Sequence, residues 1–280
     1  MPRPFQSELV LEERISEASL RAYHVGFDQN RFRLQPLVDV IRRVIPEFAL
    51  GYHAGRSFPI ETIPDKLKEA ALTVFETEKY GRRGEFGELI LHLLLRDFCG
   101  TIPLVSKIYF KDSPNVPGHG FDGVHVTTAL EHKKLWLGES KLYADGLAGV
   151  HDLANDLKDH VTGDYLRKEF MLISRKVPAD TPDISYWLDL MDKHQTLDRI
   201  FSNIAVPMVC TYTSRLFVDH TAETEEYIQA FEDECTYLKK KFDGKCIKTS
   251  IEVILMLLPV NNKDELNTEL YKRLKAMRGI

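Results

Sequence analysis

GHGFDGVHVTTALEHKKLWLGESKLYAD, residues Gly118–Asp145, holds two short apolar runs joined by a polar stretch. The runs are Phe121–Val126 and Leu135–Tyr143, and both alternate in the manner of strands. The first carries Asp122. Glu139 and Lys141 stand in the second, one residue apart. Side chains on a strand repeat with period two, so Glu139 and Lys141 share a face. If the two runs pair as a hairpin, Asp122 approaches that face. Two carboxylates and an ammonium then converge on one sheet.

That trio suits metal-assisted attack on a phosphodiester. Paired carboxylates hold a hard divalent cation, Mg²⁺ or Mn²⁺. Such an ion acidifies a bound water and offsets charge on phosphate. A neighbouring lysine orients the water or stabilises the developing anion. By itself Glu-x-Lys more often marks a solvated strand face. Here the strand around it is Leu135, Trp136, Leu137 and Leu142, and charges on a buried strand are costly unless paired or bound to metal. Metal and partial burial are both expected to depress the lysine's pKa.

Upstream, YGRRGEFGELILHLLLRDFCG (Tyr80–Gly100) predicts a turn at Gly81–Gly84. A strongly apolar helix should follow from Glu85 to Phe98, ended by Gly100. Glu85 and Glu88 lie three apart on one helical face. Either could be a first-turn acid facing the helix dipole. Glu88, deeper in an apolar helix, is the better candidate for a third carboxylate at the site.

The remaining segments supply a frame. Residues 1–14 read as a polar lead-in, and Ala18–Phe27 as a strand or short mixed element. Leu34–Leu50 has helical spacing, with Pro36 in the first turn and Pro46 expected to kink or end it. IPDKLKEAALTVF is a second helix. Leu104–Lys111, Val206–Thr213 and Thr249–Pro259 read as strands. Leu147–His160 reads as a helix, as does Asn262–Met277 with Asn262 as cap. Ala179–Asn203 suggests a helix hairpin. From the Glu88 helix onward the order is α-β-β-β-α-β, with a helical insertion before the last strand.

Asp122…Glu139-x-Lys141, with Glu88 on the preceding helix, resembles the PD-(D/E)xK nuclease superfamily. The proline of that motif is replaced by Phe121. GEFGELILHLLL, GFDGVHV and LWLGESKLY together resemble the HamA family, the nuclease-like component of the Hachiman anti-phage system. The resemblance is strongest from Arg82 to His160. It implies a restriction-endonuclease-like α/β core, a mixed sheet flanked by helices, with N-terminal and inserted helical elaborations. It also implies that Asp122, Glu139 and Glu88 bind Mg²⁺ or Mn²⁺ while Lys141 assists the chemistry. DNA is the implied substrate, and a HamB-like superfamily 2 helicase the implied partner that controls access to it.

Composition is compatible with these expectations. The 280 residues are expected to form one nuclease-like domain: 1–80 an N-terminal elaboration, 81–215 the core, 216–280 the C-terminal strand and helices. Hydrophobic content of 44% with 28% charged residues indicates a folded chain. The net charge of −5 disfavours a basic coat for unaided DNA binding. Lysines clustered at 239–248 and cations at 272–278 could meet phosphates, though a solvated face is the plainer reading. The acidic run Ala222–Glu234 suits a partner rather than DNA. Cys99, Cys210, Cys235 and Cys246 form no CxxC pair, so a zinc site is not expected. No secretory leader or membrane-length apolar run is evident, so the cytoplasm is the expected compartment. GxSxG, P-loop and HExxH motifs are lacking. His119, His125 and His132 flank the motif, and a substrate contact for His125 is left open. Two functions follow: a metal-dependent DNA nuclease, or a regulatory DNA-binding subunit that keeps the fold and has lost catalysis.

Overall fold

The computed structural model describes residues 3–75, 85–106, 120–127 and 133–279. Strands carry the apolar segments. They are β1 (Glu12–Ser16), β2 (Leu20–His24), the short pair β3 (Phe27–Asp28) and β4 (Arg31–Phe32), β5 (Ile102–Ser106), β6 (Gly123–Thr127), β7 (Lys134–Tyr143), β8 (Ile204–Thr213) and β9 (Glu252–Val260). Among the described residues the main sheet runs β1-β2-β9-β8-β7-β6-β5. β2, β9, β8 and β7 are mutually parallel, while β1, β6 and β5 pair antiparallel, so the sheet is mixed.

The helices lie on both faces of this sheet. They are α1 (Leu34–Leu50), α2 (Ile63–Phe75), α3 (Glu85–Phe98), α4 (Gly146–His160), α5 (Gly163–Ser174), α6 (Ile184–Leu190), α7 (Leu197–Ser202), α8 (Leu216–Asp219), α9 (Glu225–Asp243) and α10 (Lys263–Arg278). Strand alternation divides the core in two. Trp136, Ala205, Val209 and Met256 pack with α1, α2, α3 and α10. Leu135, Leu137, Met208, Cys210 and Leu257 face α4, α5 and α9 on the other side. The molecule is thus a mixed α/β fold with a central sheet flanked by helices.

Most predicted elements lie where the periodicity put them, and α1 and α3 carry the same bounds. Three differ. Pro46 does not end α1: the helix continues to Leu50. Burial of Glu47, Phe48 and Ala49 in the core outweighs the missing N–H. The segment read as a polar lead-in contributes β1 and buries Phe5, Val10 and Leu11. Two helices had no counterpart in the sequence reading: the short α8, and α9, whose Tyr227, Phe231, Cys235, Leu238 and Phe242 are buried beneath the acidic and basic runs. The predicted turn at Gly81–Gly84, the end of the strand at 107–111, the hairpin turn at 128–132, and His119 and His132 lie outside the described residues.

Glycines let two helices sit close to β7 and β8. A Cβ at Gly138 would stand 2.8 Å from the Leu91 side chain of α3. On the other face a Cβ at Gly149 of α4 would stand 2.5 Å from Cys210 Sγ. A side chain at Gly138 would have to displace the Leu91 methyl groups, and one at Gly149 the Cys210 thiol of β8.

A polar cluster is buried between α1, α3, β5 and β6. Glu47 Oε1 meets His92 Nε2 at 2.9 Å and accepts from Arg96 Nε at 2.6 Å. Arg96 also donates to the carbonyl of Thr101. The Thr101 hydroxyl donates to Leu95 O, so it accepts from Nδ1–H of His125 at 2.8 Å. The rings of His92 and His125 meet edge to face at 4.8 Å. His125 is therefore a core histidine, not a residue facing substrate. Desolvation holds the His92 pKa below its ordinary value, against the pull of Glu47. Desolvation, with the nearby His92 and Arg96 charges, pushes His125 well below.

Folded pKa values below the unfolded ones mean that the unfolded chain binds more protons. Stability contributed by the neutral rings is then lost as pH falls below the unfolded value of ~6.5. Each group costs up to about 1.4 kcal/mol per pH unit below that point. Melting temperature is expected to fall between pH 7 and pH 5, and to fall less in His125→Asn, which keeps a donor for Thr101. Equal slopes in the two proteins would remove His125 from the account.

Candidate functional site

β7 lies between β6 and β8, and its residues from Leu135 to Ser140 are buried. Any charge on it must be matched locally. Glu139 is 5% exposed and points to the α4 side with Lys141, as the two-residue spacing requires. Lys141 Nζ donates to Glu139 Oε1 at 3.3 Å. It also pairs with Asp156 Oδ2 of α4 at 2.5 Å. His160 Nδ1, at the end of α4, lies 3.8 Å from Glu139 Oε2. The His160 ring stacks on Tyr165 and meets Phe121 edge to face.

Asp122, 4% exposed, stands in the bend immediately before β6, not within the strand. Its N–H donates to Gly138 O at 2.9 Å, which keeps it joined to β7. Its Oδ2 accepts from both the N–H (2.9 Å) and the hydroxyl (2.7 Å) of Ser140. Asp122 is thereby fixed to the residue between Glu139 and Lys141, and its charge acts on the Lys141 ammonium. Ser140 faces the α3 side, where Gly87 packs over it: a Cβ there would lie 3.1 Å from Ser140 Oγ. Glu88, the next residue, is buried at 9% exposure. Asp122 is therefore fixed to Ser140, over which α3 lays Gly87 and carries Glu88, while Glu139 and Lys141 pair on the α4 side. Among the described residues Asp122, Glu139 and Glu88 do not bring one ligand atom each within 4.8 Å of one another. The side chain of Glu85 lies outside the described residues.

The expected depression of the Lys141 pKa is corrected. Burial does act to lower it, but the Glu139, Asp156 and Asp122 carboxylates outweigh burial and the net shift is upward.

A second group, which sequence reasoning missed, lies near β1 and β2. Glu12, His24 and Glu223 place one ligand atom each within 4.8 Å of one another, and such a set could hold a divalent metal. Arg14 is already among them. Its Nε lies 3.2 Å from His24 Nε2 and 3.2 Å from Glu12 Oε1, and its Nη2 lies 3.2 Å from Glu223 Oε2. A guanidinium thus stands where a cation would bind. Nothing in the spacing of residues 12, 24 and 223 signals this convergence, because β1–β2 pairing and the approach to α9 create it.

The two sets of residues differ in donors, and among the described residues only Glu12, His24 and Glu223 bring three ligand atoms together. Asp122, Glu139 and Glu88 offer oxygens alone, which fits Mg²⁺ or Mn²⁺. Glu12, His24 and Glu223 include an imidazole, which suits a softer ion.

The conserved-family model of HamA matches residues 4–274, nearly the whole chain. The chain belongs to the HamA family. The family match runs from the N-terminal segment through the Asp122–Lys141 strands to α10, so it takes in both sets of residues. No curated protein matches the chain. Family membership and the presence of a possible metal-binding cluster are consistent with a nuclease-type effector. Among the described residues no helix is long and apolar enough to cross a membrane.

Proposed function

We propose that this HamA-family chain is a metal-dependent DNA nuclease of the PD-(D/E)xK type, hydrolysing phosphodiester bonds as the effector of an anti-phage system. The observation that carries the reading is a buried strand on which Glu139 pairs with Lys141 while Ser140 between them holds Asp122. Asp122, Glu139 and Glu88 would hold Mg²⁺ or Mn²⁺. Bound there, the ion supplies Lewis acidity, polarising the phosphate and acidifying a water. Lys141 would supply fixed positive charge to the phosphate oxygens as negative charge develops. Its pairing with Glu139 and Asp156 supports that role. Ser140 would act through Asp122, whose carboxylate it holds. A HamB-like superfamily 2 helicase would deliver DNA and restrain the site, in the cytoplasm. The net charge of −5 supports the need for such a partner.

The test incubates plasmid and linear DNA with the chain, in Mg²⁺, Mn²⁺ or EDTA, with and without the helicase. Metal-dependent degradation governed by the helicase is expected. Intact DNA in every arm would favour the regulatory-subunit reading.

A further inference from the structure

α4 meets β7 as a matched row. Glu139, Lys141 and Tyr143 point to it from the strand, two residues apart. His160, Asp156 and Asp152 face them from the helix, four residues apart. His160 Nδ1 lies 3.8 Å from Glu139. Asp156 Oδ2 lies 2.5 Å from Lys141 Nζ. The Tyr143 hydroxyl donates to Asp152. The periods agree: four helical residues advance about 6.0 Å and two strand residues about 6.6 Å. The helix runs antiparallel to the strand, as the descending residue numbers require. Gly149 lets it lie close, and Asp145 caps its start by accepting from Ala148 N–H.

We propose that Asp156 is a positioning residue of the nuclease site, holding the Lys141 ammonium beside Glu139 so that it points at the scissile phosphate. A lysine side chain has four rotatable bonds, and one partner at 3.3 Å does not fix it. Asp156 adds a second anchor from a rigid helix on the opposite side. A one-ångström displacement of a charge that stabilises a transition state costs rate far more than it costs folding. Lys141 and Asp156 are partly exposed, so their pairing adds little to stability. This inference rests on the nuclease reading for its catalytic part and on geometry alone for the anchoring.

The experiment compares the full chain with Asp156→Asn and Asp156→Glu, assayed with the helicase and Mg²⁺. For Asp156→Asn a fall in kcat of roughly tenfold to a hundredfold is expected, with KM within about twofold. Asp156→Glu should regain part of the rate. Melting temperature should move by no more than about 3 °C in either variant. A second readout needs no activity. In ¹⁵N-lysine-labelled chain without metal, the Lys141 Nζ signal, assigned through Lys141→Arg, should be protected from exchange in the parent and lost in Asp156→Asn. Unchanged kcat with loss of the signal would reduce the contact to a surface ion pair and overturn the proposal. Persistence of the signal in Asp156→Asn would overturn the anchoring itself. If the parent cleaves no DNA under any condition, the nuclease reading fails, and the Nζ signal still decides the anchoring.

Discussion

Glu139→Ala is expected to lower metal-dependent DNA cleavage on the order of a hundredfold or more, while the chain stays folded. The first half follows from chemistry. Glu139 is a buried carboxylate on a central strand, and with Asp122 it would form the oxygen donor set for the ion. The second half follows from its neighbours. Removing the carboxylate does not strand Lys141, whose Nζ keeps Asp156 at 2.5 Å. The neighbouring ladder is untouched, because the Asp122 carboxylate is held by Ser140. The sequence alone suggests a different reason for tolerance, relief of repulsion between like charges. The ion pair with Lys141 replaces that reason with a compensated loss. Lys141→Ala should also abolish cleavage, yet spare most metal binding, since the carboxylates remain. DNA degradation, Mn²⁺ titration by calorimetry and a thermal melt on each variant separate the cases. A well-folded Glu139→Ala chain that cleaves at the parental rate would end the mechanism.

Spacing alone placed Glu139 and Lys141 on one strand face, because a period of two needs no tertiary knowledge. It also bounded α3, where the glycine after the helix and the apolar periodicity agree. It failed where a segment's own pattern is overruled by its surroundings. β1 reads EERIS and is half-buried, so its polarity hides a strand completed by pairing with β2. α9 is dominated by charge, and its five buried residues show as a stripe only once the sheet supplies a surface. Asp156 and His160 look like ordinary exposed positions on an amphipathic helix. Their relation to Lys141 and Glu139 exists only because α4 docks antiparallel on β7. The buried cluster of Glu47, His92, Arg96 and His125 joins residues from separate elements, and no local spacing announces it.

That cluster gives the largest expected effect on stability. Glu47 is 2% exposed, and its carboxylate is shared by His92 Nε2, Arg96 Nε and, at 3.6 Å, Arg56 Nε. Its partners outweigh burial and hold its pKa below the usual carboxylate value. Glu47→Ala removes the anion and leaves the Arg96 guanidinium buried, with the Thr101 carbonyl and the Tyr52 ring as its remaining contacts. Breaking one side of such a pair costs about 3–5 kcal/mol, because the surviving charge keeps its desolvation penalty. For a chain of this size that is a fall of about 10 °C in melting temperature. Arg96→Met in the Glu47→Ala background should recover part of the loss, since it removes the uncompensated charge and keeps apolar volume. A double-mutant cycle measures this directly: the combined loss should be smaller than the sum of the single losses. Additive losses would mean that Glu47 and Arg96 stabilise the fold independently, and that the core between α1 and α3 rests on its apolar contacts. The cluster lies on the α3 side of the sheet, while Lys141 and Asp156 lie on the α4 side, so the two kinds of variant address different energies. Glu47→Ala should lower the melting temperature and leave per-molecule cleavage unchanged well below the transition, whereas Asp156→Asn should do the reverse.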